Sequence, residues 1–579
     1  FDVPAHVISD ENDNVTDLLA DRVAKTPDLN LFSVETSPGV WEPVTAKEFE
    51  TQVIALAKGL IASGIKAGDA VAIMARTQYS WSLIDFAIWY AGAVGVAIYE
   101  TSAPNQMEWI LSNSESVALW VESANLEARF DEIKKSTPTV KKVWRMDRGD
   151  IESLSEMGKT VSDQEVQNRR RNAKMSDLAT LIYTSGTTGL PKGCELTHGG
   201  FVNLCRNAKI EIPQVLYEGA STLLFLPLAH VFARFISVIA IDAGVRVGHQ
   251  PDAKNVAPAM QSFKPHWLLA VPRVFEKVYN SAEQKAEAGG KGKIFRKAAE
   301  VAVDWSKASE AGRVPLGLAL KHKLFDVLVY KKLREAMGGQ VRYAVSGGGP
   351  LGERLGHFFR AIGLIVLEGY GMTETHAPTT IGRVGRAKIG KVGLPLPGTG
   401  IGIADDGEIL MRGFHILRGY WKNPKATAET IRDGWLHSGD IGELDDDGFL
   451  KITGRKKEII VTAGGKNVAP APLEDPLRAN PLISQAVVIG DNQPFIAALI
   501  SLDPEMLPVW LKNNGGDSSM TVAQAAKSQI VQNEVQRAIT DVNSKFSKAE
   551  QIRKFVILST DLTEDSGHLT TSLKIKRAQ

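Results

Sequence analysis

The order of apolar and polar blocks along the chain is typical of an α/β protein. Apolar runs at residues 70–74 and 94–99 predict buried strands, and a helix-like run at 81–90 separates them. A strand, a helix and a strand in this order form a βαβ unit with parallel strands. A further run at 178–182 extends the pattern. We therefore predict doubly wound α/β sheets in a large N-terminal domain.

Beyond residue 387 the pattern changes to short strands separated by glycine turns. Residues 407–412 and 448–452 predict a small antiparallel sheet or a distorted β-barrel. Apolar runs return at 484–502 and 555–559, which predicts a small α/β (α+β) domain at the C-terminus.

Composition narrows the classes of function. A chain of 579 residues is too long for one hydrophobic core, so at least two domains are expected. Its 67 Lys and Arg against 66 Asp and Glu give a net charge of +1, which argues against a nucleic-acid partner bound through net charge. Two cysteines, Cys194 and Cys205, allow no disulfide framework and predict a reducing compartment. No run reaches the roughly 18 apolar residues of a membrane span, and we predict a cytoplasmic protein.

Residues 281–312 are rich in Ala, Lys and Glu, with little apolar periodicity and a glycine-rich break at 289–293. This pattern predicts exposed helices around a mobile tip. The positive charge of the region has two interpretations, a solvated face or a peripheral contact with an anionic membrane at its inner face.

A loop at residues 183–193 carries the most specific chemistry. It follows the strand at 178–182 and combines four Ser and Thr hydroxyls, three glycines and Lys192. Glycines admit backbone N–H groups close to an oxyanion, hydroxyls add donors, and the lysine adds a mobile positive charge. The loop is no Walker A motif. A polyphosphate site is favoured over a polar surface loop.

A second glycine motif follows a predicted strand at 340–345. Gly347, Gly349 and Gly352 satisfy the G-x-G-x-x-G pattern, and Glu368 follows about twenty residues later. Alone, this pattern indicates a nicotinamide-dependent dehydrogenase. The motif is weak, however, and it lies mid-chain, so we keep the dehydrogenase as a distant alternative.

The loop at 183–193 resembles the phosphate loop of the adenylate-forming (ANL) superfamily, which includes acyl-CoA synthetases, peptide-synthetase adenylation domains and luciferases. The resemblance extends from about Thr16 to Arg577 and includes the motifs at 368–374, 434–440 and 454–458. The insertion after residues 271–275 is similar to the long-chain fatty-acid branch. The resemblance implies fatty acid, ATP and coenzyme A as small-molecule substrates and partners, with Mg²⁺ as metal.

The resemblance also implies site residues. Tyr370 would offer a face for adenine, Thr373 a hydroxyl for the α-phosphate, Asp440 a carboxylate for the ribose, and Glu374 an oxygen ligand for Mg²⁺, although a surface carboxylate remains the alternative for Glu374. The implied nucleotide and cofactor set is Thr184, Ser185, Gly186, Thr187, Thr188, Gly348, Gly349, Pro350, Glu368, Gly369, Tyr370, Gly371, Met372, Thr373, Asp440, Ile452, Arg455, Lys457, Gly464 and Gly465. The implied substrate pocket is His230, Val231, Ser346, Gly347 and Gly371. A lone histidine such as His230 is often structural, and that alternative stays open.

The last motif, at residues 568–577, places a catalytic lysine at Lys574, with Lys192, Thr373 and Glu374 as the other catalytic groups. Leu573 stands where the family commonly has glycine, and Lys576 competes for the role. The resemblance places a hinge at 455–457, between an AMP-binding domain at 1–454 and a mobile domain at 458–579.

We therefore identify the chain as a bacterial-type long-chain fatty acyl-CoA synthetase, a monomer or a homodimer. A fatty acyl-AMP ligase or an adenylation domain that loads a carrier protein shares every motif. An adenylate-binding sensor without catalysis is the third alternative.

Overall fold

The protein is described by a computed structural model that covers residues 1–184, 190–563, 566–569 and 575–577. Its α-helices in chain order are α1 Val15–Lys25, α2 Ala46–Ala62, α3 Tyr79–Tyr90, α4 Pro104–Ser114, α5 Ala124–Ile133, α6 Asp150–Met157, α7 Asp163–Asn172, α8 His198–Glu211, α9 Val231–Ala243, α10 Val256–Phe263, α11 Pro272–Ala288, α12 Gly292–Glu310, α13 Leu316–Phe325, α14 Lys331–Ala336, α15 Glu353–Ala361, α16 Pro424–Thr430, α17 Ala471–Arg478, α18 Leu507–Asn513, α19 Val522–Ala525 and α20 Gln529–Asn543.

The strands in chain order are β1 Asp2–Val3, β2 Asn30–Ser37, β3 Val40–Thr45, β4 Ala70–Met74, β5 Val94–Ile98, β6 Ala118–Val121, β7 Lys142–Arg145, β8 Leu178–Thr184, β9 Lys192–Thr197, β10 Ser221–Leu224, β11 Arg246–His249, β12 Trp267–Ala270, β13 Tyr343–Ser346, β14 Ile365–Met372, β15 Ala377–Ile381, β16 Leu394–Pro395, β17 Thr399–Ile403, β18 Glu408–Gly413, β19 Ile431–Arg432, β20 Trp435–Leu444, β21 Leu450–Arg455, β22 Ile460–Val461, β23 Asn467–Val468, β24 Ile483–Ile489, β25 Ile496–Leu502 and β26 Ile552–Ile557.

The first large sheet has the order β7-β6-β4-β5-β8-β9 within the described residues. Its strands are parallel from β7 to β8, and β9 returns antiparallel to β8. The predicted βαβ unit is β4-α3-β5. Because parallel strands end at the same edge, the carboxyl end of β8 delivers the phosphate loop to that edge.

The second large sheet has the order β16-β15-β14-β13-β12-β10-β11-β2-β3. It is parallel from β14 to β2 and antiparallel at both ends. Helices α3 and α9 are buried along nearly their whole length and belong to the same core cluster as residues of both sheets. Burial on all sides explains why their sequences are apolar almost throughout.

Two smaller sheets and the two-stranded pair of β22 and β23 complete the fold among the described residues. Strands β1, β17, β18, β19, β20 and β21 form an antiparallel sheet, as the glycine-turn pattern predicted. Strands β24, β25 and β26 form a C-terminal sheet with α17 and α20, and this part has a hydrophobic core cluster of its own. The predicted fold class is confirmed.

Helices α6 and α7 precede the phosphate loop, and α7 buries only Val166 and Arg170, so it shows no apolar stripe. One element prediction, that of exposed helices in residues 281–312, was wrong. Helix α12 is no merely exposed helix, because Phe295, Ala298 and Ala302 pack into a core cluster. The apolar face is hard to identify in the sequence because most of its buried residues are small residues such as alanine. Among the described residues, no helix is long and apolar enough to cross a membrane.

Candidate active site

The predicted phosphate loop lies between β8 and β9. The two strands pair antiparallel with Thr184 opposite Lys192, and the Thr184 hydroxyl donates to the Lys192 carbonyl oxygen at 3.5 Å. Four predicted residues, Ser185, Gly186, Thr187 and Thr188, lie outside the described residues. The hairpin brings Lys192 back to the strand end from which the loop departs.

Lys192, Tyr420 and Glu374 form one cluster beside this hairpin. The ammonium of Lys192 lies 4.7 Å from the centre of the Tyr420 ring, a cation–π distance. The Tyr420 hydroxyl donates a hydrogen bond to Oε1 of Glu374 at 2.8 Å. Burial, followed by the charge of Glu374, raises the pKa of Tyr420, so the hydroxyl stays a donor. Two of the predicted catalytic groups are thus joined through a tyrosine that the motifs did not identify.

A tight turn after β14 positions Glu374. Thr373, Glu374 and Thr375 form a 3₁₀ turn, and the N–H of Leu417 donates to the Glu374 carbonyl oxygen at 2.8 Å. A Cβ at Gly371 would overlap the carbonyl oxygen of Ala377, which explains the glycine there. Ala377 itself has φ 104°, a conformation that costs a non-glycine residue energy.

The chemistry around Glu374 fits a magnesium ion that a substrate phosphate also binds. Glu374 is buried, and its second carboxylate oxygen has no hydrogen-bond partner among the described residues. The same residues contain no group of three or more His, Cys, Asp or Glu side chains able to hold a metal. Mg²⁺ commonly uses one or two carboxylates and completes its shell with water and phosphate. One carboxylate at this position satisfies that requirement.

Tyr370, Asp440 and Arg455 form a second cluster near the end of β14. The Tyr370 hydroxyl donates to Oδ2 of Asp440 at 2.8 Å, and Nε of Arg455 donates to Oδ1 at 3.0 Å. Burial, followed by the charge of Asp440, raises the pKa of Tyr370. Both oxygens of the predicted ribose carboxylate are therefore oriented by neighbours that were themselves predicted for the site.

The glycine turn after β13 faces the same strand end. Ser346 is buried and its hydroxyl has no partner among the described residues, which fits a polar group awaiting a ligand. Gly348 has φ +81°, which favours glycine. The turn continues through Gly349 and Pro350 to Leu351, whose N–H donates to Glu368 at 3.1 Å. Burial raises the pKa of Glu368 to about 7 despite that hydrogen bond.

His230 begins helix α9 as its N-cap. Its Nδ1 accepts the N–H of Phe232 at 3.2 Å, so His230 has a structural role as a helix cap. The Phe232 ring lies 3.3 Å from where a Cβ on Gly347 would be, which brings the α9 N-terminus beside the glycine turn. Val231 is buried in the core.

Comparison with known proteins matches this arrangement to one family. A family profile described as AMP-binding enzyme matches residues 19–421, and one described as AMP-binding enzyme C-terminal domain matches residues 457–579. The chain belongs to the AMP-binding enzyme family. The predicted superfamily is thereby confirmed.

Individual relatives span nearly the whole chain. The long-chain-fatty-acid–CoA ligase FadD15 of Mycobacterium tuberculosis is 48% identical over 99% of this chain and 96% of its own length. The long-chain-fatty-acid–CoA ligase ACSBG2 of Gallus gallus is 30% identical over 93% of this chain and 76% of its own length. The solved structure of O-succinylbenzoate coenzyme A synthetase (MenE) from Bacillus subtilis, in complex with ATP and magnesium ion, has a TM-score of 0.69 at 21% identity and covers 97% of this chain and 98% of that chain. At that identity the likeness concerns the fold alone.

Several other predicted positions in this family member lie at the surface or near the C-terminus. Lys457 and the turn of Gly464 and Gly465 are exposed, and so is Ile452 on β21. Lys574 lies outside the described residues, whereas the backbone N–H of Lys576 donates to the His568 carbonyl oxygen at 2.9 Å. The choice between the two lysines stays a prediction.

The C-terminal segment contacts Glu458, the residue directly after the predicted hinge, and Glu474 on α17. Nε of Arg577 lies 3.1 Å from Glu458, and its Nη2 lies 2.5 Å from Glu474. Glu458 also lies 4.0 Å from Arg455, the partner of Asp440. A series of charged contacts thus connects the last motif with the predicted ribose site.

Sequence reasoning missed a buried ion pair between α3 and α9. Nε of Arg234 donates to Oδ2 of Asp85 at 2.9 Å, and the guanidinium also reaches Thr180 on β8. Both side chains are almost completely buried. The available signal was the single charged residue of α3 and an arginine near the start of the largely apolar α9, and the pairing of these two charges depends on the tertiary fold.

Proposed function

We propose that this chain is a long-chain fatty acid–CoA ligase. It activates a fatty acid with ATP and Mg²⁺ to an acyl-adenylate and pyrophosphate, and it then transfers the acyl group to coenzyme A with release of AMP. The observation that carries the proposal is the pair of clusters at the end of β14. Tyr370 forms one cluster with Asp440 and Arg455. Glu374, four residues later, forms the other with Tyr420 and Lys192. One turn thereby holds the nucleoside side and the phosphate side of a nucleotide site.

In this proposal the first half-reaction depends on positioning and charge. A carboxylate oxygen of the fatty acid attacks the α-phosphorus of ATP in line. The bond between the α-phosphorus and the bridging oxygen then breaks, and pyrophosphate leaves with that oxygen. Lys192 and the donors of the phosphate loop hold the departing pyrophosphate, and Lys574 neutralises the attacking carboxylate. Glu374 would hold Mg²⁺, which supplies charge neutralisation at the phosphates.

The second half-reaction needs a different surface at the same place. The acyl-adenylate is a mixed anhydride, so water must be excluded until the thiol of coenzyme A arrives. We infer that the domain at 458–579 turns about Lys457 relative to residues 1–454, which exchanges Lys574 for the Gly464–Gly465 turn. The exposure of Lys457 supports this, since a pivot needs freedom to move.

The partners in this proposal are small molecules, with no nucleic acid. We place the protein in the cytoplasm, with peripheral contact at the inner membrane face, and both monomer and homodimer remain compatible with it. The identity to FadD15 over nearly the full chain supports the substrate class.

A pyrophosphate-exchange screen tests the function. Full-length protein is incubated with ATP, labelled pyrophosphate and acids from acetate to long-chain acids, followed by an assay for acyl-CoA. We expect aliphatic acids of about ten or more carbons to outcompete acetate, because each buried CH₂ contributes roughly 0.8 kcal/mol. A preference for acetate or amino acids would overturn the substrate class. Exchange without acyl-CoA formation would favour a ligase that delivers to a carrier protein, and absence of exchange would favour a sensor.

A further inference from the structure

An exposed apolar stripe follows the outer face of helix α13 and the turn after it. Leu316, Leu320, Leu324, Val327 and Leu328 are all exposed, with Leu316 85% and Leu320 70% accessible. No other stretch of thirteen described residues exposes more than two large hydrophobic side chains. Their spacing of four, four, three and one residues places them on one side of a helix. Contiguous apolar patches of this kind mark interaction surfaces.

The inner side of the same segment is half-buried against the fold, and the buried Tyr330 anchors the end of the segment. His322 stacks on Trp305 with ring centres 4.3 Å apart and hydrogen bonds to the Ala361 carbonyl oxygen at 2.9 Å. Beyond α13, residues Asp326–Tyr330 form a π-helical turn, and the Tyr330 hydroxyl donates to the Ala298 carbonyl oxygen at 2.7 Å. A surface helix that is apolar on both its inner and its outer face needs a cover for the outer one.

Basic residues surround the stripe. Residues 313–332 contain five Lys and Arg and one acidic residue, Asp326. That single acidic charge is already paired, since Arg334 lies 2.7 Å from Asp326. Lys321, Lys323, Lys331 and Lys332 are exposed. Long lysine side chains can extend past an apolar face while their ammonium groups stay in water.

We propose that this surface, residues 316–332, docks on an anionic phospholipid bilayer. Leucine and valine side chains insert at the boundary between headgroups and acyl chains, and the lysines meet lipid phosphates. A second copy of the chain is the less favourable occupant, because a two-fold contact would bring the lysines of both copies together. This surface is distinct from residues 281–312, for which membrane contact is one interpretation of the positive charge. The inference rests on the peripheral membrane contact of the proposed function and names the surface that makes it.

Vesicle sedimentation tests the proposal on the full chain. We expect the protein to bind vesicles that contain phosphatidylglycerol and to bind phosphatidylcholine vesicles far more weakly, with binding that falls as salt rises. Leu320→Glu with Leu324→Glu should abolish binding to both. Lys323→Glu, Lys331→Glu and Lys332→Glu together should weaken binding to the anionic vesicles by a factor of about a hundred or more, since each lysine near the surface contributes roughly 1 kcal/mol.

Two matched controls separate the surface from general effects. Ile8 is 90% exposed and isolated, so Ile8→Glu should leave vesicle binding unchanged. Lys134 and Lys135 are exposed and follow α5, which packs on the first large sheet. Their replacement by Glu should also leave vesicle binding unchanged. Pyrophosphate exchange with a water-soluble acid should persist in all variants, which keeps this test independent of the proposed function.

A fluorescent reporter identifies what covers the stripe. The two native cysteines are buried, so Leu324→Cys gives one accessible thiol for an environment-sensitive dye. We expect a blue shift with anionic vesicles and no shift for the same dye on Ile8→Cys. A shift that grows with protein concentration in the absence of lipid would instead identify a second copy and overturn the proposal. A monomer with no shift on any vesicle would overturn it as well.

Discussion

At the residue scale, the fold orients Glu374, the proposed ligand of Mg²⁺, through contacts within the protein. Its backbone is held by Leu417 and one of its oxygens by the Tyr420 hydroxyl at 2.8 Å. Hydrogen bonds of this kind fix the orientation of a metal ligand and leave the other oxygen available.

Replacing Glu374 by Gln should reduce adenylation on the order of a hundredfold, because a hard, charged ligand is lost while shape is kept. The effect is measured as pyrophosphate exchange across a magnesium titration, with a thermal melt to confirm folding. Glu195→Gln is the control, since Glu195 pairs with Arg418 nearby at 2.7 Å and has no predicted role. Wild-type exchange in the Glu374 variant would remove this residue from the site.

Glu368 should give stability a specific dependence on pH. Its pKa is raised from 4.5 to about 7 in the folded protein, so the folded state holds the proton more tightly than the unfolded state. The raised pKa contributes up to about 3 kcal/mol to the free energy of unfolding. This contribution is fully present below about pH 4.5 and is lost as pH rises through about 7.

Denaturant unfolding of wild type and Glu368→Gln at pH 5 and pH 8 measures this contribution to the free energy of unfolding. The two pH values bracket the raised pKa of about 7. The variant carries no titrating proton, so it should gain stability relative to wild type at the higher pH. Equal differences at the two values would mean that Glu368 titrates normally.

At the scale of elements, the helices α3 and α9 are connected by the Asp85–Arg234 pair in the core between the sheets. Arg234 also lies over the rings of Trp81 and Trp89, each at 5.2 Å. The pair ties both helices to Thr180 on β8, the strand that carries the phosphate loop.

Asp85→Asn should destabilise the protein by about 3–5 kcal/mol, because it leaves a buried guanidinium without its counter-charge. Chemical denaturation followed by tryptophan fluorescence measures this. Glu300→Gln is the matched comparison, since it breaks the exposed Lys297–Glu300 pair and should have no measurable effect. Similar stability losses in both variants would contradict the assignment.

Helix α11 contacts the C-terminal part through polar groups. Arg273 lies 3.0 Å from Asp503, and Asn513 donates to the side chain of Gln284 at 2.7 Å. Polar contacts between domains can open and close at low cost, unlike a large apolar interface.

Arg273→Ala should therefore change the two half-reactions in opposite directions, because the contact favours one orientation of the C-terminal part. Pyrophosphate exchange reports the first half-reaction, and CoA acylation from a supplied acyl-adenylate reports the second. Lys277→Ala is the control, as its pair with Glu505 is exposed and contributes little. An equal decrease in both half-reactions would argue against a role in orientation.

At the scale of the whole molecule, the proposal is that the C-terminal domain presents a different surface to the active site in each half-reaction. Lys574→Ala should therefore abolish acyl-adenylate formation but preserve thioester formation from a supplied adenylate. Lys457→Pro should do the reverse, since proline fixes φ at the proposed pivot. Both are measured beside a thermal melt.

Lys576→Ala is the control for the last motif and should have a modest effect. If it abolishes adenylation while Lys574→Ala does not, the assignment of the last motif is shifted by two residues. Loss of both half-reactions in Lys574→Ala would contradict domain alternation.

Much of the fold was predictable because its signals are local. The β4-α3-β5 unit followed from short apolar runs, and the glycines indicated local constraints, a close backbone contact at Gly371 and a positive φ at Gly348. Helix α7 and the apolar face of α12 were not predictable, because few large side chains mark them.

The sequence by itself determined the α/β class, the superfamily and the positions of the motifs, since each is written in neighbouring residues. Only the tertiary structure decided which motifs meet. Tyr420 reaches Glu374 and Tyr370 reaches Asp440 across separations of 46 and 70 residues, and Arg234 finds Asp85 across 149. It also decided that the leucines of α13 face outward. The physical reason is that sheet order and helix packing, not local periodicity, set the neighbours of a side chain.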